Sequence, residues 1–356
     1  MTSFPRTPDE ITPGWLTTAL AHAGHIDAGT VARVHIEHLA SGLTGPVVIA
    51  KPVMSSLSLR GPTSMVIKMP TTDPDRLSLL SKRGMFHREY HFYRKLASKM
   101  PDIVPRHFFV ETNPEQTLGI IGLEDLSDMR TVGHGESMPM DDAVAAVKTL
   151  AKMHAQWWGR SDLDQYDWLM HPGVYFDGED LDQMSGNARA VLGEFGDRLS
   201  PGVRKLLEML PFALPAIEAQ WGASPTTLCM GDARGQNMFF NGNGGDTHVR
   251  LIDWQTPTRA KGVLDTATFL VMTFDPEERR SIERDLLSEY HSELVAQGIS
   301  DYSYEQLEID FRWALFRPLI MMVRAVTDMG FGATAVARFA PRLEALVDWD
   351  CAEVIS

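Results

Sequence analysis

The stretch from Cys229 to Asp253 constrains this chain more than any other. It opens on Cys-Met-Gly-Asp, places Asn237 five residues after Asp232, and closes on an apolar run at 249–252 followed by Asp253 and Trp254. The apolar Met-Phe-Phe at 238–240 and the run at 249–252 flank a Gly- and Asn-rich segment at 241–246. Gly and Asn supply the positive φ of a tight reversal, so the pattern predicts a β-hairpin. A hairpin folds Asp253 back beside Asn237, and the side-chain oxygens of Asp232, Asn237 and Asp253 then converge. A hard cation such as Mg²⁺ takes one or two such oxygens and leaves its other positions to phosphate and water. Asn237 and Asp253 are therefore the candidate metal ligands.

Upstream, the alternating pattern at 31–39 and the apolar residues 47–50 predict two strands. The turn between them contains Ser41, Gly42, Leu43, Thr44 and Gly45. A strand, a glycine turn and a strand form a loop that can lay backbone N–H groups over phosphates; a plain hairpin has the same sequence. The next strand, at 64–69, carries Lys68 in an otherwise apolar run, where an unpaired charge is costly. Its candidate partner is Glu89, on a helix predicted over 84–96 with Met85, Glu89 and Phe92 on one side. His87 and His91 lie four apart on that helix, but the His-Glu-x-x-His pattern of zinc peptidases is absent, so both are assigned to the surface. A second hairpin is expected around Asn113-Pro, with strands at 105–112 and 118–126.

After Arg130 the pattern turns from strands to helices, which predicts a lobe boundary near 127–131. Pro139, Asp141 and Asp142 open a long helix whose buried face is expected to hold Val144, Val147, Ala151, His154 and Trp158. His154 is assigned to the core. The following segment carries Asp162, Asp164, Asp167, Asp177, Glu179, Asp180, Asp182, Glu194 and Asp197, interleaved with aromatic residues including Tyr175. It is a solvated face, a wall for a cationic acceptor or, by its aromatic residues, a surface for an apolar one. Further on, Ser303 and Gln306 predict a capping box, and Pro318 predicts a kink.

Gly-Asp-x-x-x-x-Asn followed by Ile-Asp-Trp resembles the aminoglycoside phosphotransferase and choline kinase superfamily, and the wider pattern most resembles its ecdysteroid-kinase-like group. The resemblance spans essentially the whole chain. It implies an α+β, protein-kinase-like two-lobed fold. A small antiparallel sheet with one helix would form a nucleotide-binding lobe at 1–126, and a larger, mainly helical catalytic and acceptor-binding lobe would occupy 127–356. It implies ATP and Mg²⁺, with Lys68 and Glu89 holding the α/β-phosphates, the glycine turn above them, and the backbone around Glu124 and Leu126 reaching adenine. It casts Asp232 as the residue facing the acceptor hydroxyl and Asp265 as a brace for the metal loop; Arg234 departs from the pattern, at a position often held by His, and is the candidate to reach the γ-phosphate. Met230 departs from the pattern, standing where the family usually has His.

Composition narrows the function classes. A net charge of −14 opposes binding to nucleic acid or anionic membranes. No apolar run reaches membrane-spanning length, and Cys229 and Cys351 fit neither a disulfide framework nor a zinc spacing. A cytoplasmic enzyme moving the γ-phosphate of ATP to a small-molecule hydroxyl is the expectation. A catalytically silent nucleotide-binding protein and a metal-dependent hydrolase using His87 and His91 are the rivals.

Overall fold

The computed structural model describes residues 4–26, 30–39, 42, 44–55, 61–133, 136–171 and 181–355. The chain divides into two compact units, Met1–Arg130 with Arg250–Gln255, and Thr131–Val249 with Thr256–Ser356.

In the first unit, α1 (Pro13–His22) precedes β1 (Val31–His38), β2 (Val47–Met54) and β3 (Met65–Lys68), and β4 (His107–Thr112) and β5 (Gly119–Glu124) follow. The sheet order is β1-β2-β3-β5-β4 and every pairing is antiparallel. Alternation sends Val48, Ala50, Met65, Ile67 and Ile120 inward, where they pack with Leu16 and Leu20 of α1 and with Phe108 and Phe109. Lys68 ends β3, opposite Val47 on one neighbour and Ile121 on the other.

Two helices connect β3 to β4, α2 (Pro74–Lys82) and α3 (Met85–Lys95). The second is the helix expected from the sequence; α2 is an addition to it. Its start signal is nonetheless local: Asp73 caps the N–H groups of Asp75 and Arg76, and Pro74 stands at the first turn. Such a cap is worth about 1 kcal/mol. On α3, Glu89 and Phe92 are buried, while His87 and His91 remain partly exposed with their rings 4.3 Å apart.

The second unit begins within the short strand β6 (Arg130–Thr131) and continues with α4 (Met140–Trp157), α5 (Leu181–Phe195) and α6 (Pro201–Gly222). On α4 the buried face runs through Ala143, Ala146, Val147, Leu150, Ala151, His154 and Trp157, whereas Val144 and Trp158 are only partly buried. The buried stripe keeps Val147, Ala151 and His154 and adds Ala143, Ala146, Leu150 and Trp157 on the adjoining side. β7 (Thr227–Cys229) pairs antiparallel with β10 (Thr258–Ala260). Between them lie β8 (Met238–Asn241) and β9 (His248–Leu251), adjacent across the expected turn, and β9 carries the chain into Arg250–Gln255.

The remaining helices are α7 (Val263–Thr273), α8 (Pro276–Ala296), α9 (Tyr304–Ala314), α10 (Phe316–Thr327), α11 (Gly332–Phe339) and α12 (Glu344–Asp348). Ser303 caps α9 through the Gln306 N–H, but the Gln306 side chain turns to Asp310, so only half of the capping box forms. The kink expected from Pro318 is a break between α9 and α10. The Pro318 ring occupies the space of a carbonyl four residues back, at Ala314, where α9 ends. Among the described residues no helix is long and apolar enough to cross a membrane.

Candidate active site

Each unit concentrates polar side chains at one place. In the first, Lys68 at the end of β3 forms ion pairs with Glu89 of α3 and with Asp253, whose Oδ1 lies 2.9 Å from Nζ. The Glu89 side chain is 3% exposed, Lys68 17% and Asp253 28%, so only the aspartate retains a substantial face to solvent. Burial opposes the Lys68 charge, but the carboxylates of Asp253 and Glu89 more than offset it and hold the ammonium protonated well above the ordinary lysine range. Burial pushes the Glu89 carboxyl up, against the pull of Lys68.

The segment that delivers Asp253 is pinned on both sides. The Leu251 N–H donates to the Ile103 carbonyl at 2.8 Å, and Arg250 reaches Glu124 and the Val104 carbonyl. Trp254 stacks on Phe92 with ring centroids 3.9 Å apart and planes 7° from parallel. Asp253 itself has φ 67°. This left-handed conformation costs an L-residue roughly 1–2 kcal/mol, and aspartate is among the residues that tolerate it. The next residue but one supplies a contact that sequence reasoning missed. Gln255 donates through Nε2 to Glu89 Oε2 at 3.4 Å and to Thr44 Oγ1 at 3.0 Å, tying the glycine turn to the ion pair. Its position two residues after Asp253 is the only local signal.

The glycine turn is held by Thr71 N–H donating to the Thr44 carbonyl at 2.7 Å and by a bridge between Gly42 and Gly45. Gly45 has φ 147°, and a Cβ there would stand 2.2 Å from the Met69 carbonyl oxygen, so no other residue fits. Ser41 and Leu43 lie outside the described residues. Glu124 is bound to Arg250 and accepts the Arg106 N–H, and Leu126 is buried.

In the second unit, Asp232, Arg234 and Asn237 belong to one turn. Asn237 Nδ2 donates to the Asp232 carbonyl at 2.9 Å and to Asp232 Oδ2 at 3.1 Å, and Arg234 Nη2 lies 3.1 Å from the same oxygen. One carboxylate oxygen is thus committed, and the other, Oδ1, is buried without a hydrogen-bond partner among the described residues. With its amide nitrogen used, Asn237 presents its carbonyl oxygen, a donor type that suits a hard cation.

The turn is braced from beneath. Asp265 of α7 accepts the N–H groups of Met230 at 2.6 Å and Gly231 at 2.9 Å, and also contacts His154, which is hydrogen-bonded to Tyr290. The brace expected at Asp265 is present, and His154 is a satisfied core residue that supports it. Asp265 holds backbone, so the Met230 side chain is free to be an apolar filler, and it is fully buried. Gly231 has φ 93°, and a Cβ there would meet the Thr256 carbonyl at 1.9 Å. His154, Cys229 and Asp265 lie close enough together to suggest a metal cluster, but both Asp265 oxygens are already occupied by these N–H groups.

The acid-rich segment is partly neutralised. Asp162 pairs with Arg160, Asp164 with Arg259, and Asp197 with Arg204. Tyr175, Asp177, Glu179 and Asp180 lie outside the described residues.

Residues 71–330 match the family described as "Uncharacterized oxidoreductase dhs-27". No curated protein matches the sequence. Among solved structures, the chain is similar to choline kinase from Cryptosporidium parvum Iowa II, at 11% identity over 97% of this chain and 95% of that one, with TM-score 0.56. It is similar to macrolide 2'-phosphotransferase MphH from Brachybacterium faecium, at 15% identity over 92% and 97%, TM-score 0.52. The GDP complex of aminoglycoside 2'-phosphotransferase-IIIa matches at 12% identity over 87% and 93%, TM-score 0.53. At these identities the likeness is one of fold: the α+β, protein-kinase-like fold of the aminoglycoside phosphotransferases and choline kinases.

Proposed function

The chain belongs to the family described as "Uncharacterized oxidoreductase dhs-27" (DUF1679), and we propose that it is an ATP-dependent phosphotransferase acting on a small-molecule hydroxyl. The observation that carries this reading is the buried Lys68 ammonium fixed between Glu89 and Asp253. A strand lysine held by a helix glutamate is the device that positions the α/β-phosphates in kinases. One ammonium between two carboxylates leaves an excess negative charge, and a divalent cation at Asp253 would neutralise it. The residues therefore fit Mg²⁺, with Asp253 and the Asn237 carbonyl as ligands. Mg²⁺, when bound, screens the charge of the β- and γ-phosphates. The aminoglycoside 2'-phosphotransferase that shares the fold holds GDP, which supports a nucleoside phosphate as donor.

The chain's own residues then have separate tasks. Lys68 binds the α/β-phosphates, and Glu89, steadied by Gln255, orients Lys68. The backbone of the glycine turn approaches the phosphates, and that near Glu124 and Leu126 approaches the adenine. Arg234 fixes the Asp232 carboxylate and neutralises charge on the transferring group. Asp232 receives the acceptor's O–H at its carboxylate. The acceptor oxygen bonds to the γ-phosphorus as the bond from that phosphorus to the β,γ-bridging oxygen breaks. The departing pair leaves with ADP, and the hydroxyl proton passes to Asp232.

An oxidoreductase built on a nicotinamide dinucleotide fold needs a parallel sheet with a glycine fingerprint at its first strand-to-helix turn. Every pairing in the five-stranded sheet is antiparallel, and the sequence has no such fingerprint. The deciding experiment is Mg²⁺-dependent ADP release across hydroxylated steroids, aminoglycosides, amino alcohols and sugars, beside NAD(P)H turnover. Release with at least one acceptor is expected. Nicotinamide turnover without ADP release overturns the proposal; ATP binding without release under any acceptor favours a silent nucleotide-binding protein.

A further inference from the structure

Asp232 follows Gly231, and glycine has the freest backbone of any residue. Glycine is nevertheless required at that position. Its φ is 93°, and a Cβ there would stand 1.9 Å from the Thr256 carbonyl oxygen. The carboxylate of Asp232 therefore hangs from a joint with little stiffness of its own, and rigidity has to come from outside the turn.

It comes from two buried side chains of opposite charge. Asp265 of α7 accepts the Gly231 N–H at Oδ1, 2.9 Å away, and so fixes the peptide plane that enters Gly231. Arg317 of α10 donates through Nη2 to the Gly231 carbonyl and so fixes the plane that leaves it, the one carrying the Asp232 nitrogen. Each charge meets the end of a peptide group of opposite polarity, so both bonds are charge-assisted. Asp265 is fully buried and Arg317 is 4% exposed, which keeps water from competing for either bond. α7 and α10 pack against one another, so the two arms share one support. Further along the turn, the Gly235 N–H donates to Thr273 Oγ1 at 2.9 Å, at the end of α7.

Arg317 is also the exception on its own helix. Phe316, Pro318, Leu319, Ile320, Met322 and Val323 of α10 are buried with it. An apolar side chain would pack among them without desolvating a charge, and a buried guanidinium is costly unless it is well hydrogen-bonded. What an apolar side chain would not do is satisfy the carbonyl of the buried Gly231.

Resting on the phosphotransferase reading, we propose that Arg317 is a positioning residue for Asp232. With Asp265 it clamps the two peptide planes that meet at Gly231, and so sets the direction in which the Asp232 carboxylate faces the acceptor hydroxyl. Arg317 acts through Asp232 and takes no part in the transfer itself.

The test compares ADP release from Mg²⁺–ATP in Arg317→Met, Arg317→Lys, Asp232→Asn and the double variant Arg317→Met with Asp232→Asn. The acceptor is whichever member of the steroid, aminoglycoside, amino alcohol and sugar panel the unaltered protein uses best. Arg317→Met is expected to lower kcat about 10²-fold, the order of loss when a reacting group is misplaced by about an ångström, with little change in KM for ATP. Arg317→Lys should recover part of this, because an ammonium can still donate to the carbonyl; it also carries the comparison should Arg317→Met fail to fold. In the Asp232→Asn background the loss of Arg317 should cost little more, because residues that act as one unit are not additive. Full additivity in the double variant, or an unchanged kcat in Arg317→Met, overturns the inference and leaves the phosphotransferase standing. Absence of ADP release from the unaltered protein with every acceptor defeats the phosphotransferase reading instead, and hydrogen exchange then decides the clamp. Exchange of the peptide holding Gly231 and Asp232 should quicken about tenfold or more in the Arg317 variants while peptides of the five-stranded sheet keep their rates. Unchanged exchange at Gly231 overturns the clamp.

Discussion

The two polar groups of this protein are built with different charge balance. Lys68, Glu89 and Asp253 set one cation between two anions, and Asp232 and Arg234 set one cation against one anion. The first is also the more buried, with Glu89 at 3% and Lys68 at 17%, whereas the Arg234 and Asp232 side chains are 25% and 23% exposed. On the phosphotransferase reading, the difference divides the electrostatics of phosphoryl transfer between the two groups. A buried group with surplus negative charge suits a metal ion and a fixed lysine, which must be in place before the substrate arrives. A more open, charge-balanced group suits a group that enters and leaves.

The largest expected effect breaks the second group alone. Asp232→Asn keeps shape and removes the proton acceptor, so ADP release should fall by about 10²–10⁴-fold while binding of an ATP analogue with Mg²⁺ survives. Asp253→Asn should lose both, because it weakens a charged oxygen ligand. Calorimetry on the two variants beside their release rates checks the contrast; equal loss of nucleotide binding in both would erase it.

Lys68→Ala attacks the first group where it is least solvated. It leaves Glu89 buried beside Asp253 with no cation between them, a loss of about 3–5 kcal/mol by the usual cost of breaking a buried pair. Chemical denaturation should show the drop, and nucleotide affinity should fall with it. Unchanged stability would mean that Glu89 is neutral in the folded protein.

A smaller effect is expected from Gln255→Ala, which removes the bonds to Glu89 and Thr44. Hydrogen bonds to a charged group are worth about 1.5–3 kcal/mol, so KM for ATP should rise with kcat less affected. The smallest belongs to the brace under Asp232. Asp265→Asn retains one acceptor for the Met230 and Gly231 N–H groups and turns an amide toward the other, at a cost of about 1–3 kcal/mol. The melting temperature should fall, and kcat should fall more than ATP affinity; a parallel loss of both would place Asp265 in support of the whole fold.

What the sequence by itself determined was local. The turn between 241 and 246, the helix bearing Glu89, the cap at Ser303 and the break before Pro318 all follow from residues within a few positions of one another. Backbone dihedral preference, capping and side-chain period act over that range. Lys68 and Glu89, 21 residues apart, were still legible as partners, because an apolar strand does not carry a lone ammonium. Tertiary structure alone decided the rest. Asp253 meets Lys68 across 185 positions, Gln255 meets Thr44 across 211, and Asp265 holds amides 34 and 35 residues earlier. No periodicity encodes such meetings. They arise when burial of each unit's apolar faces brings distant segments together, and the polar groups carried along must then find partners there.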